Sequence, residues 1–569
     1  MPEPTTIASK VFWVVPAPPM FMGLGWRGCG ESAVSGGRLN PKTPAGAVDA
    51  ADGFRLAPAQ PMSPLRLACL LALAAPLLAA APRWNLLLVT ADDLSCDSLG
   101  VYGCPLPGAT PEMDRLAATG LRFAHAFVQV GNCMPSRNVM FSGRYPHNNR
   151  IEGFYQVRNP GWPHLSDLLR TAGYYTGIRH KVEHSTPYSP YPGWDVILDR
   201  RPDGTPLHQK DPASYGESAR RGIAEARSAG KPFFLNLNLS DPHKPFFGED
   251  ASADARYRPS RVFSPTEVPV PGFLFDDPKV RVELARYHSS VRRADDGLGA
   301  ILAALRESGE EERTIVMFLS DHGMPLPFAK TQLYFHSTRT PWMVRWPGVT
   351  RAGAVDERHL VSGVDLLPTV LEMLGLPEPT GVDGRSFAPV LRGTTQEGRD
   401  HIVAEYNENS GGHRHPMRTI ITREHGYLFN PWSDGTRVMA TATRGTATFR
   451  RMQELARTDP ALAARLDLFE HRRPEELYHY ASDPDALRNL IGQPAHRVTE
   501  EQLTGALDAW MVRTRDPLLE VFRARQDPAR RAAFMHAVEA EAEARRAAGT
   551  GRAKAGGGKR KAAAKAGEP

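Results

Sequence analysis

Apolar residues recur along this chain in two patterns. Short unbroken runs, Asn85–Thr90 (NLLLVT), Pro232–Leu239 (PFFLNLNL) and Thr314–Leu319 (TIVMFL), have the length expected of strands covered on both faces. Helical spacing separates them, at Met113–Ala118, His164–Ala172, Leu284–Leu305 and Asp365–Leu374. The alternation predicts an α/β fold, a large mostly parallel sheet sandwiched by helices. Such sheets bind ligands beyond the carboxyl ends of their strands. Here the runs lead into Asp92-Asp93, Ser240-Asp241-Pro242-His243 and Ser320-Asp321-His322-Gly323. Taken singly, these residues read as caps or turn residues. Their recurrence at three equivalent points predicts one convergent polar site. The acids are hard oxygen ligands suited to Ca2+ or Mg2+, and a neutral imidazole is also acceptable to Mn2+ or Zn2+.

Composition changes this picture mainly at the ends. The first 61 residues hold nine Pro and eight Gly without a period, a density typical of an unpacked segment, and residues 1–61 are read as an upstream extension. Met62, Arg66 and the apolar run Leu67–Ala81 have the form of a signal peptide over 62–81, which implies export to a periplasmic or extracellular compartment. Fifteen apolar residues are too few for a stable membrane span. Of the net charge of +6, +5 lies in residues 549–569, so the body is nearly neutral and no nucleic-acid partner is expected. That Lys/Ala/Gly tail reads as a disordered, basic end to a segment, 521–569, that starts helical. Past the leader the cysteines are Cys96, Cys104 and Cys133. In an oxidising compartment the first two could pair across a short loop, leaving Cys133 as the odd one.

Cys133 opens Cys133-Met134-Pro135-Ser136-Arg137-Asn138-Val139-Met140-Phe141-Ser142-Gly143-Arg144. Pro135 predicts the first turn of a helix, with the thiol at its positive end and Arg137 one turn on. A buried structural thiol is the commoner fate of free cysteine. The segment resembles the signature of type I sulfatases, of the alkaline-phosphatase-like superfamily, Cys-x-Pro-Ser-Arg followed by x-x-x-x-Ser/Thr-Gly-Arg. Other stretches are similar to further landmarks of that family: Thr110–Leu116, Val364–Thr369, Gly381–Ser386, Glu476-Leu477-Tyr478, Asp483-Pro484 and Asn489-Leu490. The likeness covers residues 83–520. Within the family it is strongest to heparan N-sulfatases, at Ser320–Pro327, Thr331–Tyr334, His415–Arg418 and Arg515–Pro517. His322 after Asp321, and the three-residue spacing of Lys181 and His184, look more like iduronate-2-sulfatases. His180 stands where most relatives carry glycine.

The resemblance implies a catalytic domain over 83–395 and a smaller C-terminal α+β domain over 396–520. It implies that a formylglycine-generating or equivalent enzyme oxidises Cys133 to formylglycine, whose hydrated aldehyde is the nucleophile. Asp92, Asp93, Asp321, His322 and the matured Cys133 would bind one cation, Ca2+ with Mg2+ or Mn2+ as alternatives. Arg137 would hold the hydrate, with Lys181 and Lys330 adding positive charge. His184 is the candidate base, and His243 or Lys330 would protonate the leaving group. By residue type alone, Lys181, His184 and Lys330 read as a solvated face. Arg418 is expected either to reach the sugar or to lie at the surface. The implied substrate is a sulfated saccharide, an N-sulfoglucosamine or a related glycosaminoglycan. Competing readings are a phosphoester or phosphonate hydrolase of the same superfamily and a non-catalytic glycan-binding protein.

Overall fold

The computed structural model describes residues 83–564, with side chains as far as 548. The expected extension and signal peptide, and the basic side chains of the tail, lie outside the described residues. No helix among those described is long and apolar enough to cross a membrane.

Eight strands form the central sheet: β1 (Asn85–Asp92), β2 (Leu121–Phe123), β3 (Tyr175–Arg179), β4 (Val196–Ile197), β5 (Phe233–Pro242), β6 (Thr314–Ser320), β7 (Trp342–Arg345) and β8 (Ala354–Asp356). Their order is β4-β3-β5-β1-β6-β7-β2-β8, and only β7 runs antiparallel to its neighbours. The three runs recognised in the sequence are the central trio β5-β1-β6. Alternation explains why they are apolar throughout. Leu87, Val89, Leu235, Leu237, Val316 and Phe318 belong to the core on one face, and Leu86, Leu88, Phe234, Ile315 and Met317 to the core on the other.

The helices that cover the sheet include α1 (Pro111–Thr119), α2 (Cys133–Ser142), α3 (Pro212–Ser228), α4 (Pro278–Glu307) and α5 (Leu366–Met373). α4 starts six residues before the expected Leu284, because the Asp277 side chain accepts from the Lys279 N–H and Pro278 occupies the first turn. Asp295 of α4 accepts from the Glu112 and Met113 N–H groups at the start of α1, which ties the family-like Thr110–Leu116 stretch to the body. Four antiparallel strands follow in order, β9 (His401–Glu408), β10 (Arg414–Thr422), β11 (Gly426–Phe429) and β12 (Glu475–Tyr478). Cys96 and Cys104 do not pair. Both are free thiols, and Cys96 is enclosed at the start of the one-turn helix Cys96–Ser98, where burial pushes its thiol up to about 12.

Arg418 is neither at a sugar nor at the surface. It is fully buried on β10, where its guanidinium donates to Asp516 (3.0 Å from Nη2) and Asn407 (3.0 Å) and pairs with Glu405 (3.2 Å). Two carboxylates enclosed together require cations, so this arginine is consumed in holding the body together. His147 joins the same network at 2.8 Å from Glu405. Burial alone would lower its pKa, but Glu405 outweighs this and raises it to about 9; His336, between Asp97 and Asp485, is raised to about 9 in the same way. A raised folded-state pKa contributes stability that is complete below the unfolded value of about 6.5 and lost as pH rises through about 9, on the order of 2 kcal/mol per histidine. Urea midpoints are therefore expected to fall between pH 6 and pH 9.5. The deficit of a His147→Gln variant should shrink over that interval, which parallel denaturation curves will measure.

Candidate active site

The ends of β5, β1 and β6 lie level, since Asp92 pairs with Pro242 and Ala91 with Ser320. Asp92 closes β1, and Asp93 turns away from the strand with φ +68°. Its N–H donates to Asp321 Oδ1 at 3.1 Å. α2 then brings Cys133 to this edge as its first residue, after the extended Asn132. Cys133 Sγ lies 3.5 Å from Asp92 Oδ1 and 3.2 Å from His322 Nε2. Donor atoms of Asp92, Asp93, Cys133 and His322 all fall within 4.8 Å of one another, and all four residues are buried.

The geometry shows what each part of the Cys133–Arg144 motif does locally. Ser136 Oγ donates to the Asp321 carbonyl at 2.7 Å, which ties α2 to the end of β6. Arg137 Nε donates to Asp321 Oδ2 at 2.8 Å, and its Nη1 donates to Thr90 Oγ1 (2.8 Å) and Asn238 Oδ1 (2.7 Å). Asn138 Nδ2 donates to the His184 carbonyl at 2.9 Å. Gly143 ends the helix at φ +64°, and its carbonyl accepts from the N–H groups of Asp383 and Gly384. A Cβ there would stand 3.0 Å from Val382, so the turn also needs the close approach that glycine allows.

Cations surround the carboxylates. Lys330 Nζ bridges both oxygens of Asp93 at 2.7 and 2.8 Å, and Lys181 pairs with Asp92. Burial opposes ionisation of Asp92, but Lys181, His243, Arg137 and Lys330 hold it well below the usual carboxylate range; burial opposes that of Asp93 too, yet Lys330, His243 and His322 lower its pKa. His322 donates from Nδ1 to the Gly323 carbonyl (3.0 Å), which leaves Nε2 facing Cys133 and Asp93. Burial would lower the His322 pKa, yet Asp321, Cys133 and Asp93 raise it to about 9, so the pocket favours positive charge where Nε2 points. The expected ligand Asp321 stands beside this cluster rather than in it, with Oδ2 on Arg137 and Oδ1 3.7 Å from His322 Nε2; the carboxylates of Asp92 and Asp93 with the His322 imidazole fit a hard divalent ion. Arg137 Nη2 is buried without an acceptor, a donor suited to an anionic oxygen beside residue 133.

His184 lies near Lys181 and Asp92, its ring edge-on to Phe154 at 5.4 Å. Burial and then Lys181 lower its pKa to about 4, so the ring is neutral, and its Nδ1 has no partner. His243 lies within electrostatic reach of both Asp92 and Asp93, with Nδ1 2.6 Å from the Lys244 carbonyl. Asp241, by contrast, turns away to Lys210 (2.8 Å) and Arg293 (2.6 Å). Lys210 also donates to the His243 carbonyl at 2.6 Å, so this pair anchors the loop that carries His243. His180 and Lys181 lie at φ +57° and +51°. The His180 N–H donates to Asp199 (2.7 Å) and its carbonyl accepts from Asn238 (2.8 Å), main-chain bonds that offset a left-handed backbone costing about 1–3 kcal/mol; nothing in the structure explains histidine rather than glycine there.

Thr90, Asn238 and Lys210 were not singled out from the sequence. The signal for Asn238 was present, as a polar residue inside a fully buried strand must find a partner. Lys210, in a loop far along the chain, gave none.

The Sulfatase family model matches residues 84–376. Human N-sulphoglucosamine sulphohydrolase is 29% identical over 503 residues, covering 80% of this chain and 95% of that protein. Human arylsulfatase A is 27% identical, covering 76% and 88%. Among solved structures, a 2-O GAG sulfatase superposes with a TM-score of 0.57 at 20% identity, covering 79% of this chain and 96% of that one. The phosphonate monoester hydrolase of Agrobacterium radiobacter gives 0.56 at 19%, covering 76% and 96%, so the fold alone does not choose between sulfate and phosphonate chemistry. The family match spans more than half of the chain and takes in every position from Asp92 to Lys330, and the protein belongs to the sulfatase family, hydrolases of sulfate esters and sulfamates.

Proposed function

We propose that this sulfatase releases sulfate from a sulfated saccharide, an N-sulfoglucosamine of heparan or heparin type or a related glycosaminoglycan O-sulfate. The matured residue 133 is the nucleophile, and Asp92, Asp93, Asp321 and His322 hold one divalent cation, Ca2+ in preference to Mg2+ or Mn2+. The observation that carries this reading is the approach of Cys133 to Asp92 and His322 inside a ring of lysine and arginine. The saccharide class rests on the human sulphohydrolase, matched along nearly its whole length.

A sulfate resists attack because its oxygens repel a nucleophile, so the site must gather positive charge before chemistry. When bound, the cation would add Lewis-acid neutralisation, and the hydrated aldehyde would supply a hydroxyl oxygen as the nucleophile toward sulfur. Arg137 fixes residue 133 against Asp321 and keeps Nη2 free for a substrate or hydrate oxygen. Lys181 and Lys330 shift from their carboxylates toward the sulfate oxygens as these enter. His184, neutral with a free Nδ1, accepts the hydroxyl proton. Either His243, whose Nδ1 lies 2.6 Å from the Lys244 carbonyl, or Lys330 protonates the departing amine or alcohol. We assign this chemistry to residues 83–395 and propose that the chain is exported after cleavage behind residue 81. N-terminal sequencing of the secreted product tests export, and a mature chain retaining residue 40 would refute it.

A panel of defined heparin disaccharides, each assayed for sulfate release, tests the substrate. N-sulfated glucosamine is expected to be turned over at least ~100-fold faster than the phosphorylated sugar of the same shape. A clear preference for phosphate would overturn the proposal.

A further inference from the structure

We propose that the turn between β10 and β11 and the segment after β12 together form a second metal site, in which Glu424, His425 and His479 bind a borderline transition ion of the Zn2+ class. Donor atoms of these residues lie within 4.8 Å of one another. The two rings stand 4.6 Å apart at 62°, edge to face. Ligands on a tetrahedral Zn2+ stand about 3.3 Å from one another, given Zn–N distances of about 2.0–2.1 Å. Closing the gap needs a movement of about an ångström. The Glu424 side chain is 71% exposed and can supply it.

The backbone beneath these donors is already fixed. Thr422 Oγ1 accepts from the His425 N–H (2.9 Å) and the Glu424 N–H (3.3 Å), and the Thr422 N–H donates to the His425 carbonyl (2.8 Å). The Glu424 carbonyl accepts from the Ala481 N–H at 3.2 Å, which joins the turn to the loop that carries His479. Gly426 pairs with Tyr478, so His425 and His479 flank one rung of the β11–β12 ladder. His479 has an outer partner of the kind metal-binding imidazoles use: its Nδ1 lies 2.6 Å from Ser482 Oγ, which in turn donates to the His479 carbonyl. This contact holds the ring by Nδ1 and leaves Nε2 as the nitrogen available to an ion.

Two imidazoles and one carboxylate select Zn2+, Co2+, Ni2+ or Cu2+ over Ca2+, which needs six to eight oxygens. The site thus differs in kind from the oxygen-rich one at Asp92, Asp93 and Asp321. It also differs from the group His147, Glu405 and Asp516, where Arg418 already neutralises both carboxylates. Arg423, beside Glu424, donates to the Arg358 carbonyl and so has a partner of its own. An ion here would clasp the β10–β11 turn to the segment after β12.

The test uses the full chain in excess Ca2+, to keep the oxygen site filled, titrated with Zn2+ by calorimetry. Wild type is expected to bind one equivalent more than His425→Gln/His479→Gln and to gain about 2–4 °C in Tm at a hundredfold excess over Kd. Residue-resolved labelling of wild type with diethyl pyrocarbonate should show Zn2+ protecting His425 and His479, a readout that stands even if the double variant folds poorly. Equal stoichiometry in folded wild type and variant, or no protection of the two histidines, would overturn the proposal.

Discussion

Replacing Cys133 by alanine is expected to lower kcat/KM for sulfate release by about 10,000-fold or more, while a folded protein is retained. The side chain is 3% exposed and touches Asp92 and His322, so only a small cavity follows its removal, costing about 1–2 kcal/mol. Nearly all of the effect is therefore chemical, since neither His184 nor His243 can replace a nucleophile on the helix. The companion measurement is a peptide mass map across residues 131–144 of protein made in its native host. An aldehyde at position 133 accounts for the loss, whereas an unmodified thiol in an active enzyme would contradict the assigned role.

The second large effect is expected from Asp93→Asn, a fall of about 1,000-fold in kcat/KM with loss of the response to added Ca2+. Asp93 faces Lys330 on both oxygens and His322 at 3.2 Å, so its charge sets the potential of the pocket. Removing it also strands Lys330 in a buried position, which costs stability on the order of 3 kcal/mol. Adding Lys330→Met should restore much of that stability, and turnover stays lost because Lys330 is itself assigned to the sulfate. For wild type, chelation should abolish turnover and Ca2+ should return it. Activity that survives exhaustive chelation would refute the metal assignment.

Much of this site was legible because strands and helices announce themselves locally. The three apolar runs are buried on both faces, so no polar alternation interrupts them, and the acids that follow had to lie at one edge of a parallel sheet. The helix at Cys133 was equally plain, with Pro135 in its first turn. Arg418 misled because its motif neighbours suggested ligand contact, whereas its partners Glu405 and Asp516 come from distant points in the chain. Asp241 occupies the same kind of strand end as Asp92 and Asp321, yet Lys210 and Arg293 draw it elsewhere.

By itself, then, the order of residues determined the α/β architecture, the strand ends that carry acids, the cysteine on its helix and the family. These depend on periodicity and on short motifs, which act over a few neighbouring residues. Only the tertiary structure decided which oxygen faces which cation, that Cys96 and Cys104 remain thiols, that His180 occupies a left-handed turn, and that His425 meets His479. Each of those is a contact between segments far apart in the chain, and burial gives such contacts their energy only once the sheet has brought them together.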